Sequence, residues 1–222
     1  MASKRGLFVV FEGADGCGKT TQLELLLSHI RRRDKYNEVL AAREPTRYAI
    51  ELKERLSKDK DAFSDGEKMA KFFVRDRKKH NRLLDSGLKY GCHVLCDRYA
   101  LSTLAYQSAQ GVTLKNLMKW HEDAVLLTPD ITFLIEVPFE VLRERKQKRG
   151  ESLEKFESDE AFIKALIAQY KTLADKAKGD GRLKNIVGAI QIIGGSYEPN
   201  AVARDIAGAF NLVYNAWETG RL

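Results

Sequence analysis

The chain has 222 residues, 44% of them hydrophobic and 31% charged, with a formal net charge of +7. That is enough apolar material for one α/β core and too much for a disordered chain, while the basic excess suits phosphate-bearing ligands as well as nucleic acid. Three cysteines, Cys17, Cys92 and Cys96, exclude a disulfide framework; with no second Cys/His pair at zinc spacing they exclude a zinc site too, and they point to a reducing, cytoplasmic location.

The first residues hold too short an apolar run for a leader or a membrane span. Leu7 to Phe11 follows as a buried strand. Gly13-Ala14-Asp15-Gly16-Cys17-Gly18-Lys19-Thr20 then fits the spacing G-x-x-x-x-G-K-[ST], a loop whose backbone N–H groups turn inward around phosphates. Lys19 is expected to reach the terminal phosphates and the Thr20 hydroxyl to ligate Mg²⁺. Leu23, Leu26, Leu27 and Ile30 have helical spacing, which sets the positive end of a helix against the anion. Gly13, Asp15, Gly16, Cys17, Gly18, Lys19, Thr20 and Thr21 are therefore the predicted nucleoside-triphosphate loop.

Glu38 to Arg43 is a second strand, closed by Glu44-Pro45. Ala49 to Ser57 is helix-like, and Lys58-Asp59-Lys60-Asp61 reads as an exposed connection. Gly66 to about Tyr90 has the pattern of a long amphipathic helix capped by Gly91. His93 to Asp97 is the third strand. Helices are predicted over Ser102 to Gln110 and Leu114 to Leu127, before Pro129-Asp130 introduces a strand at Ile131 to Glu136. A basic helix (Phe139 to Lys148), another helix (Asp159 to Lys178), a strand (Gly188 to Ile193) and a closing helix (Val202 to Trp217) complete the order. Alternating strands and helices imply an α/β fold of three layers, with five parallel strands covered on both faces. Residues 1–222 read as one domain with a short basic lid at about 143–157. Ligands in such a sheet lie at the carboxyl ends of the strands, where the phosphate loop, Arg43-Glu44-Pro45 and Asp97-Arg98-Tyr99 converge.

The string Asp97-Arg98-Tyr99-Ala100-Leu101-Ser102-Thr103-Leu104-Ala105-Tyr106-Gln107, with Phe73-Val74-Arg75-Asp76-Arg77 and Arg43-Glu44-Pro45, resembles the thymidylate kinase family from Leu7 to about Tyr170. The resemblance implies phosphoryl transfer from ATP to deoxythymidine monophosphate (dTMP) with Mg²⁺, in a protein that is usually a homodimer. It implies no nucleic-acid or membrane partner. Arg98 resembles the arginine that holds the acceptor phosphate, a task suited to its planar fork. Asp97 resembles the carboxylate that orients the Mg²⁺ water shell, with capping of the next helix as the alternative. Phe73 and Arg77, one helical turn apart, resemble the pair that stacks on thymine and donates to a base carbonyl, with Pro45 over the other face. Tyr106 resembles the tyrosine under the sugar that leaves no room for a 2′-hydroxyl. Ser102 and Gln107 resemble contacts to the base or to linking waters, and Asp15 the acceptor for the 3′-hydroxyl.

Such a reaction needs no general base, so lysine, Mg²⁺ and arginines carry it. Some family members place an arginine inside the loop where this chain has Gly16, so the cation is expected from the lid. Arg149 is the first choice and Arg145 the second, within a stretch that also holds Arg143. Two departures from the family's pattern matter. Thr46-Arg47-Tyr48 stands where two glycines and a threonine are usual, and Arg47 is expected to substitute as a contact to the acceptor phosphate. The lid string reads Glu154-Lys155-Phe156-Glu157, with Lys155 in place of an arginine. Two rival readings remain open. One is a deoxynucleoside kinase, with Glu12 or Asp15 as the base that a hydroxyl acceptor requires. The other is a nucleotide switch or a basic phosphate-loop ATPase that binds nucleic acid; the absence of a guanine-reading N-K-x-D string weakens the switch, while the basic charge leaves nucleic-acid binding open.

Overall fold

The computed structural model describes residues 4–47, 49, 65–150 and 159–221. Its sheet consists of β1 (Phe8–Glu12), β2 (Val39–Arg43), β3 (His93–Asp97), β4 (Ile131–Glu136) and β5 (Ala189–Gly194), in the order β2-β3-β1-β4-β5 and parallel throughout. β1 and β3 are buried along their whole length and β4 along all but its last residue; β2 and β5, at the edges, are only partly covered. This is why Phe8-Val9-Val10-Phe11 reads as an unbroken apolar run and Ile131 to Ile135 as one interrupted only by Thr132.

The described helices are α1 (Lys19–Arg33), α2 (Gly66–Tyr90), α3 (Ala100–Ala109), α4 (Leu114–Ala124), α5 (Phe139–Lys148), α6 (Glu160–Ala177), α7 (Gly181–Val187) and α8 (Pro199–Glu218). α1 and α8 pack together on one face of the sheet, and α2, α3, α4, α6 and α7 form the layer on the other. The chain winds from β1 to β2 and β3 on one side of β1, then to β4 and β5 on the other. A crevice therefore opens over the carboxyl end of β1, where the winding reverses.

The strands and helices predicted within the described residues are present, with shifted ends. α3 starts two residues before the predicted Ser102, because Glu12 of β1 accepts from the N–H groups of Tyr99 (2.8 Å) and Ser102 (3.0 Å) and so caps the helix from another element. α4 stops at Ala124, short of the predicted Leu127, where Val125 turns left-handed at φ 53°. α7 was not foreseen. Asp180 caps it by accepting from Arg182 and Leu183, and its seven residues are too few to show a period. The helix over Ala49 to Ser57, the connection at 58–61 and the lid string with Lys155 lie, apart from Ala49, outside the described residues.

Candidate active site

Three strand ends are tied to one another before any side chain is considered. Arg98 N donates to Phe11 O (2.9 Å) and Glu44 N to Asp97 O (3.0 Å), so the loops after β1, β2 and β3 leave the sheet side by side. Arg98 is held at φ 70°, a left-handed conformation that costs a side-chain-bearing residue about 1 kcal/mol or more and is commonest at functional sites. Two cavities lie over these loops and share Asp15 as a common wall.

The first cavity, about 400 Å³, is polar. Gly16, Gly18, Lys19, Thr20 and Thr21 of the loop line it, with Asp97, Arg43, Lys146 and Arg149. Gly18 precedes α1 at φ 106°, so the helix starts with its free N–H groups toward the cavity. Lys19 is buried and donates to Gly13 O (3.0 Å) and Ala14 O (2.9 Å); burial, then the charge of Arg98, lowers its pKa. Thr20 Oγ1 donates to Asp97 Oδ2 at 2.8 Å, and Asp97 Oδ1 is a buried oxygen with no hydrogen-bond partner among the described residues. One hydroxyl and one carboxylate with a spare lone pair fit a hydrated Mg²⁺, which takes few protein ligands. Among the described residues no cluster of three or more His, Cys, Asp or Glu offers a dedicated metal cage.

The second cavity, about 130 Å³, is a narrow slot walled by Pro45, Phe73, Tyr99 and Tyr106. Arg77, Arg98, Ser102, Thr103, Gln107, Glu44 and Asp15 supply its polar atoms. Arg98 donates to Asp15 Oδ1 (2.5 Å), Ser102 Oγ (3.0 Å) and Gly13 O (3.3 Å), and its guanidinium lies 5.5 Å from the Tyr106 ring centre. Tyr106 in turn donates to Asp15 Oδ2 at 3.2 Å. The Arg98 charge holds the Asp15 carboxyl down at about 2, so Asp15 is ionised at neutral pH. Gln107 is fully buried, and its Oε1 is another acceptor without a partner among the described residues.

Arg77 is more deeply committed than its helical pairing with Phe73 implied. It is 2% exposed and donates through Nε to Glu44 Oε2 (2.7 Å), through Nη2 to Tyr99 O (2.9 Å) and Thr103 Oγ1 (3.3 Å), and through Nη1 to His121 Nε2 (3.1 Å). The ion pair with Glu44 compensates the buried charge. Of the five N–H groups on a guanidinium, one on Nη1 is left without a partner among the described residues. Asp76 secures the facing loop by accepting from Thr46 N (2.9 Å) and Thr46 Oγ1 (2.6 Å).

The structure sets the expected residues apart. Arg145 does not line the phosphate cavity: it donates to Cys17 O (3.1 Å) and Gly195 O (2.6 Å), bracing the loop from behind, whereas Arg149 Nη2 lies 3.3 Å from where a Cβ on Gly16 would be. Gly13 and Cys17 line neither cavity. Gly13 is packed so tightly under β4 that a Cβ would lie 2.5 Å from Ile135 O, and Cys17 is buried. Ser102 lines the slot and its hydroxyl also joins Arg98 to Glu12. Arg47 is exposed and lines neither cavity. Glu12 is fully buried, lines neither cavity and has its pKa raised by burial, so it is not placed to act as a base on a hydroxyl acceptor.

Sequence reasoning brought the Arg43-Glu44-Pro45 segment and the string holding Thr103 to the site but gave Arg43, Glu44 and Thr103 no role of their own, and it missed Lys146 in the polar cavity and the buried His121 beside Arg77. Lys146 was findable, being one helical turn before Arg149, and Arg43 pairs in register with Asp97 across β2 and β3. Nothing in the chain's local pattern connects His121 to Arg77, 44 residues away.

Fold and site together define a phosphate-loop phosphotransferase whose polar cavity adjoins an aromatic slot. The thymidylate kinase family model matches residues 11–184. The chain is 36% identical to a thymidylate kinase of Desulfotalea psychrophila over 168 residues, 74% of this chain and 80% of that one. It is 33% identical to a probable thymidylate kinase of Pyrococcus horikoshii over 195 residues, 85% of this chain and 92% of the other. The crystal structure of thymidylate kinase from Ehrlichia chaffeensis superposes with a TM-score of 0.71 at 25% identity, covering 93% of this chain and 99% of that one. The chain belongs to the thymidylate kinase family.

Proposed function

We propose that the protein transfers the γ-phosphoryl group of ATP to dTMP, giving ADP and dTDP. The observation that carries this reading is the meeting of two unlike cavities at Asp15, one cationic and entered by the phosphate loop, the other a flat aromatic slot with Arg98 at the junction. ATP phosphates would lie against Lys19, the α1 N-terminus, Lys146 and Arg149. The thymine ring would lie between Phe73 and Pro45. Its edge presents carbonyl acceptors beside an imide N–H, which suits the spare Arg77 N–H and the spare Gln107 Oε1. Arg98 would hold the acceptor phosphate, with Asp15 and Tyr106 beneath the sugar.

An oxygen of the dTMP phosphate attacks the γ-phosphorus as the bond from that phosphorus to the β-phosphate oxygen breaks. The nucleophile is already ionised near neutral pH, so no side chain takes a proton, in keeping with Glu12 lying outside both cavities. Lys19, Arg98 and Arg149 align the two phosphates and neutralise the charge between them. Thr20 and Asp97 would hold hydrated Mg²⁺, which when bound supplies charge neutralisation on the phosphate oxygens.

The free cysteines support a reducing, cytoplasmic setting, and no described helix is long and apolar enough to cross a membrane. A homodimer follows from the family resemblance alone and is checked by sizing in solution. The test of the reaction is an acceptor panel with ATP and Mg²⁺. Phosphorylation of dTMP and none of thymidine is expected; turnover of thymidine alone would replace this reading with a nucleoside kinase.

A further inference from the structure

His121 lies on α4, outside both cavities, and is 1% exposed. Its two nitrogens have fixed roles. Nδ1 is 2.7 Å from Leu117 O, a carbonyl that only accepts, so the proton is on Nδ1 and the Nε2 lone pair faces Arg77 Nη1 at 3.1 Å. Burial, then the adjacent Arg77 charge, holds the imidazole pKa down to about 3, consistent with a neutral ring.

We infer that His121 is a positioning residue for base recognition: by accepting one Nη1 hydrogen of Arg77, it aims the other into the slot. The inference rests on the thymidylate reading above. Glu44, through Nε, and Tyr99 O with Thr103, through Nη2, hold one edge of the guanidinium. Two points leave a plane free to hinge about the line joining them. The Tyr99 ring, its centre 4.9 Å from the Arg77 Cζ, backs one face without a directional bond. Among the described residues His121 is the third hydrogen-bonded point and the only one on Nη1, the nitrogen that also carries the N–H without a partner there. A cation at this position would repel Arg77, and an apolar side chain would leave both Nη1 hydrogens unassigned. The position therefore calls for a hydrogen-bond acceptor of about this reach, which the neutral imidazole supplies.

The test compares wild type, His121→Phe and His121→Gln in steady-state assays with dTMP and with two analogues, each lacking one ring carbonyl of thymine. In wild type one analogue is expected to lose about tenfold in kcat/KM, the size of one hydrogen bond to a charged donor. In His121→Phe the KM for dTMP should rise about tenfold, with kcat and the ATP KM within about twofold, and that analogue's selective loss should shrink below about threefold. The Gln variant, whose Oε1 replaces the acceptor, should restore the discrimination. If His121→Phe fails to fold, His121→Asn, which withdraws the acceptor while keeping a donor for Leu117 O, is read in the same way.

Equal losses for dTMP and both analogues, or a Gln variant as impaired as Phe, would overturn the positioning role. A wild type that leaves dTMP unphosphorylated would instead defeat the reaction itself, and with it this role.

Discussion

Arg98, Arg145 and Arg149 are chemically identical and their surroundings give them different tasks. Arg98 spans the junction of the cavities, Arg149 overhangs Gly16, and Arg145 binds two backbone carbonyls behind the loop. Arg149→Ala should lower kcat by about 10²-fold or more with little change in the KM for dTMP, as expected for a cation that acts mainly on transferring charge. Arg145→Ala should instead lower the melting temperature and raise the ATP KM, because Cys17 O and Gly195 O lose their shared donor. Steady-state kinetics beside thermal melts separate the two; a larger kcat loss from Arg145→Ala would reverse the assignment. The loop residues were legible because their spacing is a local backbone requirement, and Arg98 because it follows a strand. The commitment of Arg77 to Glu44 and of Ser102 to Glu12 was not, since each partner comes from a different strand end.

At the scale of elements, the strand-loop-helix alternation could be read from apolar runs and periodicity, whereas the ends depended on tertiary caps such as Glu12 on α3. Gly188, which leads into β5, shows how tightly these joints are built. It has φ 72°, and a Cβ would lie 2.2 Å from Pro129 O, a backbone atom just before β4. Gly188→Ala should therefore cost about 2–4 kcal/mol, through both the left-handed conformation and the clash. Urea unfolding of the variant measures this. A loss below about 0.5 kcal/mol would mean that β4 and β5 shift apart without penalty.

For the whole molecule, the buried imidazoles dictate the acid limb of stability. His121 and His93, 1% and 0% exposed, have pKa values lowered from 6.5 to about 3 and about 4, chiefly by burial. The unfolded chain takes up their protons below about pH 6.5 while the folded chain does not. Stability should therefore be flat in these groups above that pH and fall as pH drops toward 4, by up to about 1.4 kcal/mol per pH unit for each ring. Asp15, lowered from 3.8 to about 2, adds to the loss only below pH 4, and Glu12, raised by burial, offsets part of it above 4.5. Urea midpoints between pH 7 and 5 should show this slope, and His121→Phe should reduce it; an unchanged slope would mean that His121 takes a proton in the folded state.

The central claim is that two phosphorylated nucleotides meet end to end across Asp15, with Arg98 anchoring the acceptor and contributing little to the binding of ATP. Calorimetric titration of wild type and Arg98→Ala with dTMP and with a non-hydrolysable ATP analogue tests it most directly. The account predicts that dTMP affinity falls by about 10²-fold while the ATP analogue binds within about threefold of wild type. Loss of ATP-analogue binding with dTMP binding intact would contradict it.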